Sequence, residues 1–122
     1  MRPTDGVMGS LSYGVRMEME EGQLIRVWEH PGARRIRAWQ SGHTSASDSL
    51  HVYVGRLPSG WWFAERASYA RAYATEAVAL EVAEVLKEVR DSWREVPAEL
   101  GPDGRPTAPG WARRGGEWFR EP

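Results

Sequence analysis

Apolar and polar residues alternate through the middle of the chain, a pattern typical of β-strands because successive side chains point to opposite faces of a sheet. The runs "LIRVWEH" (24–30) and "ARRIRAWQ" (33–40) flank a Pro-Gly pair, which suits the centre of a type II turn. The runs "LHVYVGR" (50–56) and "GWWFAERA" (60–67) flank "LPSG". The pattern predicts two hairpins, followed by "SYARAYA" (68–74) as a fifth strand or an extended lead into a helix.

After Thr75 the apolar spacing changes to three and four residues, which is typical of a helix. Thr75 is a good N-cap, and Glu76 places a negative charge in the first turn, where the helix dipole favours it. The apolar stripe consists of Val78, Val82, Val85, Val89, Trp93 and Val96. We therefore predict one helix of about twenty residues that ends before Pro97 and buries this stripe against the sheet.

These elements predict a single α+β domain in a chain of 122 residues. Its core, residues 24–97, would be an antiparallel sheet of four or five strands built from two hairpins, with one long helix packed on one face. Residues 1–23 are an irregular lead-in with a short strand near "LSYGVRM", and residues 98–122 are a tail rich in Pro and Gly. The aromatic residues of the tail indicate that it docks on the core; they are Trp111, Trp118 and Phe119.

Composition narrows the classes of function. The absence of cysteine excludes disulfides, thiolate nucleophiles and cysteine-ligated metals. No apolar run is long enough to span a membrane and the first residues lack an apolar leader, so we expect a cytoplasmic protein. The loop "GHTSASDS" gathers Ser, His and Asp but has no Gly-x-Ser-x-Gly turn, and His30, His43 and His51 lack the spacing of a helical zinc pair. We expect no enzyme, cofactor or metal.

Strand alternation also separates two kinds of side chain. If it holds along every strand, the helix covers an aliphatic face formed by Ile25, Val27, Ile36, Ala38, Leu50, Val52 and Val54. The opposite face would then combine guanidinium groups with rings, accompanied by Tyr69 or Tyr73. Its predicted members are Arg26, Trp28, Arg35, Arg37, Trp39, His51, Tyr53, Trp62, Arg66 and Arg71.

The net charge of −1 conceals a separation of charge. Residues 24–74 carry seven arginines and three acids, whereas residues 75–100 carry three bases and seven acids. A basic sheet beneath an acidic helix could attract an anionic partner although the whole molecule would not.

Three interpretations compete for the arginine-aromatic face. Nucleic acid, preferably single-stranded, could stack on Trp28, Trp39, Tyr53 and Trp62 while the five arginines contact phosphate. Tyr, Trp and Arg are also enriched at protein interfaces, so the alternative is a protein-binding or homodimerising regulatory module using the same residues. In the third interpretation the aromatic tail folds back onto the sheet and closes it within one chain. We expect non-catalytic nucleic-acid binding.

The succession of antiparallel strands and a helix resembles the ββββα units of Whirly and Pur-type single-strand-binding proteins. The stretch "SGWWFAERASYARAYATEAVALEVAEVL" (59–86) is similar to the arm-binding domains of tyrosine recombinases and to AP2-like modules, in which a three-stranded sheet backed by a helix reads the major groove. Both resemblances concern topology and generic Gly-Trp, Thr and Ala positions. They imply a nucleic-acid partner and assign no individual residue.

Overall fold

The structure is a computed structural model that describes residues 19–42 and 47–122. The strand predicted near "LSYGVRM" and the centre of the loop 41–49, with His43, lie outside the described residues.

The described residues form eight strands and one α-helix. The strands are β1 (Gln23–Ile25), β2 (Arg34–Ser41), β3 (Leu50–Arg56), β4 (Trp62–Arg66), β5 (Tyr69–Tyr73), β6 (Arg94–Val96), β7 (Trp111–Arg114) and β8 (Glu117–Arg120). The helix α1 spans Glu76–Leu86. The first six strands make one antiparallel sheet in the order β1-β5-β4-β3-β2-β6, and β7 and β8 form a separate hairpin. The α+β class with an antiparallel sheet is confirmed, with six strands instead of four or five.

One of the two predicted hairpins is present. β3 and β4 pair across the "LPSG" turn, where the Leu57 amide donates to the Trp61 carbonyl at 2.7 Å. The hairpin predicted around Pro31-Gly32 is wrong, because β1 pairs with β5 at one edge of the sheet while β2 lies between β3 and β6. The Pro-Gly pair still turns the chain, with the Ala33 amide donating to the His30 carbonyl at 2.9 Å, but Ile25 packs into an apolar cluster with residues of β4 and β5.

The helix is shorter than predicted. The Thr75 cap is confirmed, with its hydroxyl accepting from the Val78 amide at 3.3 Å, but α1 ends at Leu86 and continues only as a 3₁₀ turn. The Trp93 indole donates to the carbonyls of Lys87 and Arg90, and the Arg66 guanidinium donates to that of Leu86 at 2.8 Å. These side chains satisfy carbonyls that a longer helix would have satisfied itself, so the twenty-residue helix is wrong.

Apolar clusters lie on both faces of the sheet. The helix-side cluster consists of Trp39, Val52, Val54, Ala64, Tyr73, Ala79 and Ala83. The far-side cluster consists of Ile25, Leu57, Phe63, Ala70 and Ala72, with Met19, Val27, Ala33 and Trp61 at its rim. The predicted aliphatic face is therefore split, because Ile25 and Val27 pack on the far side while Val52 and Val54 pack against α1. The segment between β1 and β2 covers one end of the far side.

The C-terminal tail docks on the opposite end of the sheet through its β7–β8 hairpin. Arg94, on the edge strand β6, donates to the Glu117 carboxylate at 2.7 Å and to the Trp118 carbonyl at 2.8 Å, and its guanidinium lies 4.8 Å from the Phe119 ring centroid. Glu95, its neighbour, accepts hydrogen bonds from Arg120. The tail thus packs on the edge strand β6 and beside the far side of the sheet, where Gln40 and His51 line a cavity together with Glu117 and Trp118.

No described helix has both the length and the apolar content needed to cross a membrane.

Candidate functional site

The ten residues predicted to share one face do not share it. β2 contains a bulge at Ile36, because Arg35 lies opposite Gly55 and Arg37 opposite Val54, which leaves Ile36 without a partner on β3. The extra residue reverses the alternation, so that Arg35 and Arg37 point to opposite faces although they are two positions apart.

Half of the predicted set lies on the helix side. Trp39 pairs with Val52 and is only 8% exposed, within the cluster beneath α1. Cross-strand pairing places the other helix-side members, because residues directly opposite each other share a face. They are Arg37, Trp62, Arg66 and Arg71.

The remaining five residues occupy two other places. Arg35, His51 and Tyr53 lie on the far side, where the His51 and Tyr53 rings stack with centroids 5.6 Å apart and the Arg35 guanidinium lies 4.1 Å from the Tyr53 centroid. Arg26 and Trp28 follow β1 at the edge of the sheet. The prediction of one arginine-aromatic face is therefore wrong, and nucleic-acid contact by these residues stays a prediction.

The arginines of "RRIRAW" are held by carboxylates from other segments. Arg34 donates to Glu99 at 2.6 Å. Arg35 donates twice to Glu65, at 3.1 and 3.0 Å, and Arg37 donates to Glu95 at 3.2 Å. This cationic stretch therefore ties β2 to β4, to β6 and to the start of the tail.

Burial and the neighbouring arginines shift the pKa of three groups around these ion pairs. Burial lowers the pKa of His51 and the Arg35 charge lowers it further, so the ring is neutral near pH 7. Burial also raises the pKa of Tyr53, against the opposing effect of Arg35. For Glu95, burial alone would raise the pKa, but hydrogen bonds from Arg120 and Arg37 outweigh it and lower the pKa below the usual range.

A different surface remains open, centred on Tyr69. Leu24, Trp28 and Tyr69 are 56%, 69% and 69% exposed and line one groove of about 510 Å³. Tyr69 also lines a second groove of about 250 Å³, whose apolar wall includes Val82 and Leu86. We call these five residues, together with Val85, the Tyr69 surface.

The position of α1 explains why this surface is uncovered. Ala79 and Ala83 are fully buried and mark the centre of the helix contact, which falls mainly on β4 and β3. The helix-side faces of β5 and β1 therefore extend beyond it. Val82 and Val85 lie on the flank of α1 turned toward those strands, and Val85 is 59% exposed.

The Tyr69 surface carries charged groups within its two grooves. Arg66 and Arg71 line the second groove and donate to the backbone carbonyls of Leu86 and Gly22, and among the described residues neither has a carboxylate partner. Arg26 lines the first groove beside Glu29, with which it makes a 3.8 Å contact.

The sequence pattern includes this surface only in part. Arg26, Trp28, Arg66 and Arg71 were predicted site residues, whereas Leu24 and Val85 were not. One feature of the sequence indicates this surface. Ala79 and Ala83 permit close approach of the helix to the sheet, so the valines next to them on the helix lie at the side of that contact.

Among residues 19–42 and 47–122, no group of three His, Asp or Glu side chains could hold a metal ion.

The chain matches no known protein-family model, and no curated protein or solved structure is significantly similar to it. The resemblance to single-strand-binding and arm-binding domains stays a prediction.

Proposed function

We propose that this chain is a non-catalytic protein-binding module and that the Tyr69 surface is its binding site. The observation that carries the proposal is the convergence of three large, mostly exposed side chains, Leu24, Trp28 and Tyr69, on one groove. Contiguous exposed apolar surface of this kind is unusual in a monomeric protein and is typical of an interaction site.

The residue types support a protein partner. Trp, Tyr and Arg are enriched where interfaces derive most of their binding energy. Trp28 and Tyr69 supply large rings with few rotatable bonds, and Arg26 lies with its guanidinium 6.0 Å from the Trp28 centroid. We assign the rings the role of central anchors and the bordering arginines that of a polar rim.

A nucleic-acid partner is less well supported. Phosphate binding requires guanidinium groups that can exchange counterions for phosphate, whereas Arg35 and Arg37 are engaged by Glu65 and Glu95. Stacking requires exposed rings beside those guanidinium groups, but Trp39 is buried under α1. These contacts favour the alternative of a protein-binding module on a different surface from the one predicted.

Site-specific photo-crosslinking in the source cells tests the proposal. A benzophenone amino acid replaces Tyr69 in one full-length variant and the exposed Arg105, in the tail, in a matched control. We expect covalent adducts with discrete protein species, a second copy included, from position 69 alone, and we expect Val85→Glu to abolish them. Adducts with nucleic acid, or equal adducts from both positions, would overturn the proposal.

A further inference from the structure

We infer that the partner of the Tyr69 surface presents an extended peptide segment in which an acidic side chain lies next to a large apolar one. The carboxylate of that side chain binds Arg66 and Arg71 in the second groove. This inference rests on the function proposed above, and it adds the chemistry of the partner.

Two guanidinium groups in the second groove carry the inference. Arg66 pairs with Tyr69 and Arg71 pairs with Ala64, so the two arginines are diagonal neighbours on the helix-side face of β4 and β5. Diagonal neighbours of this kind lie about 7–8 Å apart. Among the described residues, no carboxylate lines the groove. Two like charges this close create a positive potential that favours an anion between them.

Both guanidinium groups are held in place before a partner binds. Arg66 donates from Nη1 to the Leu86 carbonyl and Arg71 donates from Nη1 to the Gly22 carbonyl, each at 2.8 Å. One such bond leaves most of the five N–H donors of each guanidinium for an anion. The Glu21 carboxylate accepts from a backbone amide at 2.9 Å and makes no ion pair with Arg71. A carboxylate from a partner would therefore meet preorganised donors.

The rest of the second groove is apolar, which defines the neighbour of the acidic side chain. Val82 and Leu86 of α1 form one wall, and the Tyr69 ring lies on the other. The groove measures about 250 Å³, smaller than the roughly 300–1,000 Å³ of most small-molecule sites. It fits an amino-acid side chain better than a cofactor. Because Tyr69 also lines the first groove, an extended segment can continue from one groove across the ring into the other.

The charge around the groove favours a single carboxylate over a polyanion. Residues 75–100, which include the helical wall, carry seven acids and three bases. Their negative charge repels nucleic acid, whose phosphates repeat along the whole strand. A single carboxylate instead enters between the two arginines, where the apolar wall reduces screening by water and strengthens the ion pair.

Selection from a random peptide library displayed on phage, against the full-length chain, tests the inference. We expect the enriched peptides to share an Asp or Glu next to a large apolar residue. The tightest of them is then synthesised with its acid and with the matching amide, Gln or Asn. Replacing the carboxylate should weaken binding by about tenfold in fluorescence anisotropy, as expected for hydrogen bonds to a charged group.

Arg71→Gln tests which protein group meets that carboxylate. Arg71 is exposed, so the variant should fold, and the difference between the two peptides should shrink to about threefold because only Arg66 remains. Arg105→Gln, which removes an exposed arginine of the tail, is the matched control and should keep the full difference.

A preference for acid that depends on Arg71 supports the inference. Enriched peptides without an acid, no enrichment, or a preference that Arg71→Gln leaves intact overturns it. A phosphoserine analogue that binds about tenfold more tightly than the selected peptide also overturns it, because the groove would then be a phosphate site. The crosslinks from position 69 report on the proposed function independently: adducts with another protein preserve it, whereas adducts only with residues 1–18 of the same chain refute both.

Discussion

The Arg35 guanidinium donates two hydrogen bonds to the Glu65 carboxylate, from Nε at 3.1 Å and from Nη2 at 3.0 Å, on the face of the sheet away from α1. The two residues belong to β2 and β4, which are separated by β3, so the pair spans three strands across the Tyr53 ring. The Glu65 side chain is 8% exposed. Arg35 therefore neutralises a carboxylate that the fold has removed from water, a role that leaves its charge unavailable to phosphate.

Arg35→Ala should destabilise the protein by about 2–3 kcal/mol, because it leaves Glu65 buried without its partner. Arg34→Ala is the control at the adjacent position, since Arg34 is mostly exposed where it pairs with Glu99, and it should cost clearly less than Arg35→Ala. Urea unfolding of both variants measures the difference. Equal losses would show that burial of Glu65 does not determine the energy of the pair.

Binding of single- and double-stranded oligonucleotides should not depend on Arg35 and Arg37, because both already have carboxylate partners. The double change Arg35→Ala with Arg37→Ala should leave the salt dependence of that binding unaltered. Fluorescence anisotropy across a range of salt concentrations measures it. A steep slope that flattens in the double variant would restore these arginines as phosphate ligands.

Gly55→Ala should destabilise the protein by about 3 kcal/mol. A methyl group at this position would overlap the Phe63 ring and the Arg34 carbonyl, and both are fixed by the sheet. Gly101→Ala is the control, because there the nearest atom is the flexible Asp103 carboxylate, and its effect should stay within about 0.5 kcal/mol. Similar unfolding midpoints for the two variants would contradict the close packing of Phe63 on Gly55.

The turn between β4 and β5 contains two non-glycine residues in the left-handed region, Ala67 at φ 51° and Ser68 at φ 70°. Positive φ at both centre positions defines a type I′ hairpin turn, for which Asn-Gly is the preferred pair. Replacing Ala67 by Asn and Ser68 by Gly should therefore stabilise the fold by about 1–2 kcal/mol. Thermal unfolding tests this, with Ser68→Ala, which keeps the strain, as the control that should give no gain.

Local signals predicted the parts of the fold that local chemistry determines. The Thr75 cap, the "LPSG" hairpin and the strand beginning near Tyr69 each depend on a few adjacent residues, and the structure contains all three. The partner of β1 and the end of α1 depend on distant residues: Ile25 packs on Phe63, and Trp93 folds back to cap carbonyls. The spacing of apolar residues along the sequence does not indicate such contacts.

The candidate site was predicted less completely than the fold, because it depends more on contacts between distant residues. The bulge at Ile36 places Arg35 on the opposite face from Arg37 and Trp39. Ile is a common residue in regular strands, so the sequence does not indicate a bulge at this position. Arg26 and Trp28 were predicted as site residues because exposed rings beside arginine are typical of an interface, and both line the first groove of the Tyr69 surface. The position of α1 over β4 and β3 determines which surface stays open. Ala79 and Ala83 mark the face of α1 that meets the sheet, but nothing in the helix specifies which strands it meets.

The docking of the β7–β8 hairpin should weaken in acid through Glu95. Glu95 accepts hydrogen bonds from Arg120 at 3.0 Å and from Arg37 at 3.2 Å. Burial by itself would raise the pKa of Glu95, but these bonds lower it below the value of 4.5 that applies to the unfolded chain. A folded-state pKa below the unfolded one means that the unfolded state binds the proton more readily. The stabilisation is therefore complete above about pH 4.5 and is lost as the pH falls through the lower pKa of the folded state.

Urea unfolding between pH 6 and pH 3, followed by far-UV circular dichroism, measures this loss. Glu95→Gln should lower stability at pH 6 and flatten the decline toward pH 3, because the variant has no carboxylate to protonate at this position. Glu88→Gln removes an exposed carboxylate that makes no ion pair among the described residues and should reproduce the parental decline. If the free energy of unfolding declined with pH equally in the parent chain and in Glu95→Gln, other carboxylates would control the acid sensitivity. The charge of Glu95 would then not be needed for Arg37 and Arg120 to hold the hairpin.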